Sequence, residues 1–295
     1  MVTRASMSAL MAPFLRKVML DKYKQIDKQY TKIFNIATSK KQFETMLGIT
    51  GFGLVPEKPE TEGIRYDDPI QGFSVRYVHL TYGLGYQITK EAVADDQYKM
   101  LGKTMANQLG KSAAVTKEIL AASILNNGFT IANGPDGLTL FNTAHTLTGG
   151  GSYGNRPGVA AALNATNLQA ALIQFRRQVD DRGKQLMIKP KYLIVPPELE
   201  YIAYELINST LVAGGNTNNV NSLKGCLEII VLDYLTSATA WFIGGEKDDH
   251  GLTWYDRQDL EMEDTTDFDT GNAKYKATWR SSVGFSDWRG LWGTT

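Results

Sequence analysis

The run 89–128, TKEAVADDQYKMLGKTMANQLGKSAAVTKEILAASILNNG, limits what this chain can fold into. Ala94, Tyr98, Leu101, Met105, Leu109, Ala113, Thr116, Leu120 and Ile124 recur at spacings of three and four, which draws one apolar stripe along a helix. Thr89 is placed to cap its start, and Glu91, Asp95 and Asp96 put negative charge where the helix dipole favours it. Lys99, Lys103, Lys111 and Lys117 fall mostly off the stripe, and Asn127-Gly128 supplies a stop. At ~1.5 Å per residue the helix would be roughly 55 Å long, against a usual length of about a dozen residues. A helix of that length with one apolar face is a beam for something broad and flat. Gly102 and Gly110 each weaken it by about 1 kcal/mol relative to alanine, which points to close backbone approach there.

The chain is long enough, at 295 residues, to bury a large core in one domain or two intertwined ones. Its charges balance, with 31 basic and 31 acidic side chains, which argues against the strongly basic stripe of a dedicated nucleic-acid binder. Such a surface suits a wall beside DNA, and it offers little electrostatic resistance to self-association. The single cysteine, Cys226, excludes an intrachain disulfide framework and fits a reducing cytoplasm. No apolar run approaches the ~18–20 residues of a membrane span, and Arg16-Lys17 follow the N-terminal apolar patch too soon for a signal peptide.

Residues 1–50 read as an arm whose helical part sets Met7, Leu10, Met11, Phe14, Leu15 and Val18 on one face, followed by a stretch too polar to be core alone. Residues 51–88 carry turn formers at Pro56, Pro59, Gly63, Asp67-Asp68-Pro69 and Gly72, with two strand-like pieces between them. The return strand alternates Phe73, Val75, Tyr77, then shifts phase to Val78, Leu80, Tyr82, predicting a bulge or a change of sheet near Tyr77–Val78. So polar a tip suits an arm extended towards another chain. Beyond a Gly/Thr/Asn-rich connector, 167–179 is an amphipathic helix, 191–195 a strand closed by Pro196-Pro197, 198–207 a helix, and 227–232 and 240–243 strands. That order describes a compact α/β unit. The last segment alternates through Tyr275, Ala277, Trp279, Val283 and Phe285, so it is sheet that must find partners elsewhere.

Catalytic chemistry is not legible. Residues 149–154 match G-x-G-x-x-G, but Asn155-Arg156-Pro157-Gly158 follows, where a dinucleotide site needs a helix. That leaves a nucleotide-dependent α/β enzyme a distant reading. His79, His145 and His250 lie in three segments without metal-ligand spacing, and read as a packed strand residue, a hydrogen-bonding loop residue and part of a hairpin turn. Asp264, Asp267 and Asp269 lack the carboxylate a calcium loop requires, since Thr278 stands there, so they read as turn residues. Cys226 reads as structural. Trp254, Trp279, Trp288 and Trp292 crowd the last segment, either as interface anchors or as sheet core. No metal, cofactor or catalytic residue is assigned.

Several stretches carry a resemblance. The run GFSVRYVHLTYGLGYQITKEAVADDQY is similar to the extended loop and spine helix of tailed-phage major capsid proteins with the Hong Kong 97 fold. Asp136-Gly137-Leu138 with Leu140-Phe141-Asn142-Thr143-Ala144-His145 resembles the D-G-x-x-L-F-x-x-x-H stretch of the Mu-like major head subunit group. RRQVDDRGKQLMIKPKYLIVPPELE resembles that group's helix, D-x-x-G turn and P-K-Y-L-[IL]-V-P-P strand, and the Arg280 to Trp288 region its closing strands. The resemblance runs from about residue 50 onward, and its motifs are structural.

It implies an α+β fold of the Hong Kong 97 type: an N-terminal arm (1–50), an E-loop hairpin (51–88), a peripheral P-domain with its spine helix and connector (89–158), an α/β axial A-domain (159–250), and a return to the P-domain sheet (251–295). It implies a head protein that assembles with itself into hexamers and pentamers of an icosahedral or prolate shell. The shell would enclose double-stranded DNA without sequence-specific binding, in a virion assembled in a bacterial cytoplasm. Scaffolding, portal and decoration proteins are the implied partners; no membrane is. Inter-subunit contact is expected at Glu57, Lys58, Glu60, Arg65, Tyr66, Asp67 and Asp68 of the E-loop, and axial contact at Asn216, Asn218 and Asn219. Lys58 lies where some relatives crosslink to a neighbour, but no partner residue is identifiable. No coiled-coil scaffolding segment precedes the arm, which predicts a separate scaffold or a removed prepiece. An encapsulin-type nanocompartment, which shares the fold, is the alternative.

Overall fold

A computed structural model describes residues 4–94, 98–211 and 220–295. Helix α1 (Arg4–Gln25) and the short α2 (Tyr30–Ile33) lead into strands β1 (Asn35–Thr38), β2 (Phe43–Ile49), β3 (Gln71–Val78) and β4 (Leu80–Ile88). Helices α3 (Lys90–Ala94) and α4 (Tyr98–Asn126) occupy the predicted beam, of which Asp95 and Asp96 lie outside the described residues. The Thr89 hydroxyl accepts from the Ala92 amide at 3.3 Å, so the cap is where the sequence placed it. At the far end the Gly128 amide donates back to the Leu125 carbonyl.

The buried face of α4 overlaps the predicted stripe at Leu109 and Ala113, with Met105, Leu120 and Ile124 partly buried beside it, but is rotated towards smaller residues. Leu101 is exposed, while Gly102, Ala106, Leu109, Gly110, Ala113, Ala114, Ala121, Ala122 and Leu125 are buried. Helix α1 packs on this face through Leu15, Met19 and Tyr23, and on the other side stand Tyr275, Ala277 and Trp279. Small residues win the face because they let two helix backbones approach. A Cβ on Gly110 would stand 2.5 Å from the Met19 carbonyl oxygen, whereas one on Gly102 would meet only side chains, the nearest at 3.4 Å. The expected close backbone approach therefore holds at Gly110 and not at Gly102. Lys117, expected off the stripe, is buried with its Nζ 3.3 Å from Asp256 Oδ1. The segment after α1 is core as well: Tyr30, Ile33 and Phe34 are buried, and the arm lies on the chain's own beam.

Two four-stranded sheets form the body. The first has the order β1-β10-β11-β4, with β10 (Leu252–Thr266) and β11 (Ala273–Phe285) as its long central pair. The second has the order β12-β9-β7-β8, from β7 (Tyr192–Val195), β8 (Glu228–Val231), β9 (Trp241–Gly244) and β12 (Leu291–Thr294). Helices α5 (Ala165–Arg176) and α6 (Glu200–Asn208) cover one face of this second sheet. The end of α4 and the connector residues Leu140 and Phe141 cover the other. Both faces being covered, β7 and β9 read as unbroken apolar runs.

The expected change of sheet occurs at His79. β3 pairs with β2 in a separate two-stranded ribbon, and β4 pairs with β11 in the first sheet. The ribbon's first strand, β2, lies within the residues read as arm, so 51–88 holds only the second half of that hairpin. The chain's final strand also departs from expectation: Leu291–Thr294 joins β9 of the second sheet, because Trp292 fills the core between that sheet and α5. The residues 248–251 are no hairpin turn, since a 3-10 turn (Lys247–Asp249) there carries the chain from one sheet to the other. The four tryptophans of the last segment are all buried, which decides for sheet core. Cys226 is exposed, not structural.

Candidate assembly surface

The β2–β3 ribbon forms a sheet of its own, and the stretch 51–70 beyond it has no regular structure apart from a turn at 60–62. Large apolar side chains on it meet solvent: Leu54 is 82 % exposed, Val55 95 % and Tyr66 91 %, with Ile49, Phe52 and Ile64 also open. Burial of a side chain of this kind is worth about 1.5–3 kcal/mol. So many on one segment make it the candidate for a surface that another molecule completes. Of the residues expected to contact a neighbour, Glu57, Lys58, Glu60, Arg65 and Tyr66 are exposed there. Alternation and turn residues alone gave no sign that the apolar residues between them stay unburied. Asp67 and Asp68 behave differently from the others: the Arg182 guanidinium of the same chain pairs with the Asp67 carboxylate and donates to the Asp68 carbonyl at 2.7 Å. The Gly53 amide and that guanidinium together hold the Asp67 carboxyl below the usual carboxylate range. Asn216, Asn218 and Asn219 lie outside the described residues.

The polar residues that could suggest catalysis are instead packed away. His145 is fully buried, its Nδ1 2.6 Å from Asp136 Oδ2 and its Nε2 3.2 Å from Asn155 Oδ1, with the ring stacked on Trp288 at 4.4 Å. Burial acts to raise the Asp136 carboxyl, but the hydrogen bond and charge of His145 outweigh it and hold the group below its ordinary value. Neither imidazole nitrogen can reach a substrate. The pair joins the two ends of the D-G-x-x-L-F-x-x-x-H stretch, and Asn155 ties it on to the Leu140 and Trp288 carbonyls. His79 is buried at the change of sheet, 2.9 Å from the Ser282 hydroxyl, and its pKa is lowered by burial. His250 is pushed down to about 4, again by burial. The glycine run 149–154 spans the turn between β5 (His145–Thr146) and β6 (Ser152–Tyr153), and the next helix begins only at Ala165. Asp267 and Asp269 sit in the β10–β11 turn, where Asp267 pairs with Lys274 at 2.6 Å.

The geometry is a body of two sheets on one long helix, with a separate ribbon whose apolar tip is open. The capsid of bacteriophage JBD30, decorated with minor capsid protein trimers, superposes with a TM-score of 0.58 at 15% identity, over 72% of this chain and 92% of that one. A virus-like particle from Pyrococcus furiosus gives 0.56 at 10% identity, over 96% and 98%. The fold is thus of the Hong Kong 97 capsid type. The family model described as phage capsid protein matches residues 72–293, and the chain belongs to that family. It is 23% identical to the major capsid protein of Escherichia phage Mu over 314 residues, covering 79% of this chain and 99% of that one.

Proposed function

We propose that the chain is the major head subunit of a tailed double-stranded DNA phage. Copies of it join as hexamers and pentamers into a closed shell, assembled in the bacterial cytoplasm, that encloses the genome without reading its sequence. A scaffolding protein, a portal and a decoration protein are its partners. In this reading α3 and α4 are the spine of the P-domain, the β2–β3 ribbon with its tip is the E-loop lying over an adjacent subunit, and α5 to β9 with β12 form the A-domain. The observation that carries the proposal is the ribbon's apolar tip, left open on a chain of the phage capsid family. Many modest contacts of this kind, closed around a ring and then a shell, give a stability no single contact has. The balanced charge supports a wall that lies beside DNA and does not grip it.

A nanocompartment shell of encapsulin type uses the same geometry, and the likeness to the Pyrococcus furiosus particle supports it as the second reading. The family assignment favours the phage head. Replacing residues 54–66 by a short Gly-Ser linker tests the assignment of the tip. The expected product is folded, soluble protein that forms no closed shell under negative stain, and normal shells from this variant would remove the tip from the assembly mechanism.

A further inference from the structure

The loop 51–70 is not free on its own subunit. Apart from the Thr50–Ile70 pair that closes its neck, its hydrogen bonds to the rest of the chain, among the described residues, converge on one tight turn, 180–184. Arg182 takes the Asp67 carboxylate and the Asp68 carbonyl, Lys184 Nζ donates to the Phe52 carbonyl at 3.2 Å, and the Gly53 amide donates to Asp67 Oδ2 at 2.8 Å. Both limbs of the loop are therefore pinned at one point. The turn itself is rigid. Asp180 Oδ1 accepts from the Arg182 and Lys184 amides at 2.9 and 2.8 Å, and Asp181 Oδ1 accepts from Arg289 Nη2 at 2.9 Å, while the Asp181 carbonyl takes the Gly149 amide at 2.8 Å.

Below the pinned limbs the ribbon has a weak point. The β2–β3 register slips between Leu47 and Ile49, where Gly48 faces Gly72. A Cβ on Gly48 would stand 2.9 Å from the Phe73 carbonyl oxygen, so the strands meet there closer than side chains allow. A cavity of about 80 Å³ lies beneath, lined by both glycines with Asp181, Asp287 and Arg289. A two-stranded ribbon bent at such a place, over open space, does not fix its own direction.

Building on the shell reading, we propose that the 180–184 turn is a latch that sets the direction of the 51–70 tip beyond the Gly48–Gly72 slip, with Arg182 as the positioning residue. The latch pre-organises the tip for a second copy of the chain, because the ordering cost of the loop is met before the neighbour arrives. The contact is an ion pair with a half-exposed carboxylate, so it is modest and salt-sensitive.

Spin labels at Glu60→Cys and Gln169→Cys, in a Cys226→Ser background, report the distance from the tip to the body in unassembled protein. The expected distribution is narrow, broadens at least twofold with Arg182→Ala or in 1 M salt, and narrows again in the charge-swapped pair Arg182→Asp with Asp67→Arg. An unchanged distribution in Arg182→Ala, with an unchanged melting curve, overturns the latch. Assembly followed by light scattering should slow several-fold in Arg182→Ala, and equal or faster assembly with a broadened tip overturns the pre-organisation. A wild-type protein that never assembles counts against the shell reading, while the label distances still decide the latch.

Discussion

Glu118 lies on the buried face of α4, only 6 % exposed, with one oxygen, Oε2, accepting the Tyr30 amide at 3.1 Å and the other, Oε1, without a partner among the described residues. Gln29, Tyr30, Phe34, Ala121, Ala122, Leu232 and Tyr234 surround it where the arm, the beam and the second sheet meet. Burial is the main force on this carboxyl, Asp27 and Asp233 add repulsion, and together they outweigh the backbone hydrogen bonds and push it from 4.5 up to about 7. A group bound to its proton more tightly in the fold than in the open chain stabilises the fold most when protonated. That advantage is full below about pH 4.5, declines as pH rises towards 7, and is gone above it. At about 1.4 kcal/mol per pH unit, ionising Glu118 costs the fold up to about 3 kcal/mol. The variant Glu118→Gln keeps an acceptor for Tyr30 and cannot ionise. In melts of unassembled subunits from pH 5 to 8.5 it should match wild type at the acid end. Near pH 8 it should melt higher by about 5 °C or more, taking ~2 °C per kcal/mol for a chain of this size. A gap between the two proteins that stays constant with pH, or a wild type that gains on the variant as pH rises, would refute the reasoning.

The face of α4 makes a paired prediction. Gly110→Ala should lose about 1–3 kcal/mol in denaturant titration despite alanine's better helix propensity, since the Met19 carbonyl must move. Gly102→Ala has ordinary contacts and should be neutral or stabilising by up to about 1 kcal/mol, and equal effects at the two sites would sink the close-approach account. His145→Ala strands the buried Asp136 carboxylate and should cost about 3–5 kcal/mol, with the apolar pair Asp136→Leu, His145→Leu recovering part of it. Because Asp136 titrates below its unfolded value, the wild-type pair should keep its contribution above about pH 4 and lose it under more acid conditions, which chemical denaturation across that range would show.

The helical character of 90–94 and 98–126, the cap at Thr89, the change of sheet near Tyr77 and the α/β unit were legible because each rests on local periodicity or turn chemistry. The pieces misread are those decided by remote partners. Leu101 looks like core and is exposed, while Lys117 looks like surface and is buried, because the face of α4 is chosen by α1 and the first sheet. Trp288 and Trp292 could have been interface anchors until the connector and α5 were seen to enclose them. Residues 43–49 carry a strand whose partner begins at Gln71, across a long irregular loop, and no local pattern announces such a pairing. Of the assembly surface, the loop's existence and charges were readable. Its open apolar side chains and the engagement of Asp67 by Arg182 depend on what fails to pack in three dimensions and on a turn far along the chain.

The first sheet has a kinetic consequence. Its edge strand β1 pairs with β10, Ile36 opposite Trp254, and β4 pairs with β11, Tyr82 opposite Trp279. β1 has no sheet neighbour until the chain has been made past Asp256, nor β4 its full partner until past Ser281, and closure over such separations is slow. Both strands of the β2–β3 ribbon have been made once the chain passes Val78, long before β10 and β11 exist. During synthesis, then, an apolar-tipped ribbon is exposed on a chain whose own anchorage does not yet exist, among nascent chains with the same ribbon. The subunit's hazard period falls before assembly, and protection from premature strand pairing is needed there, on the half-made chain.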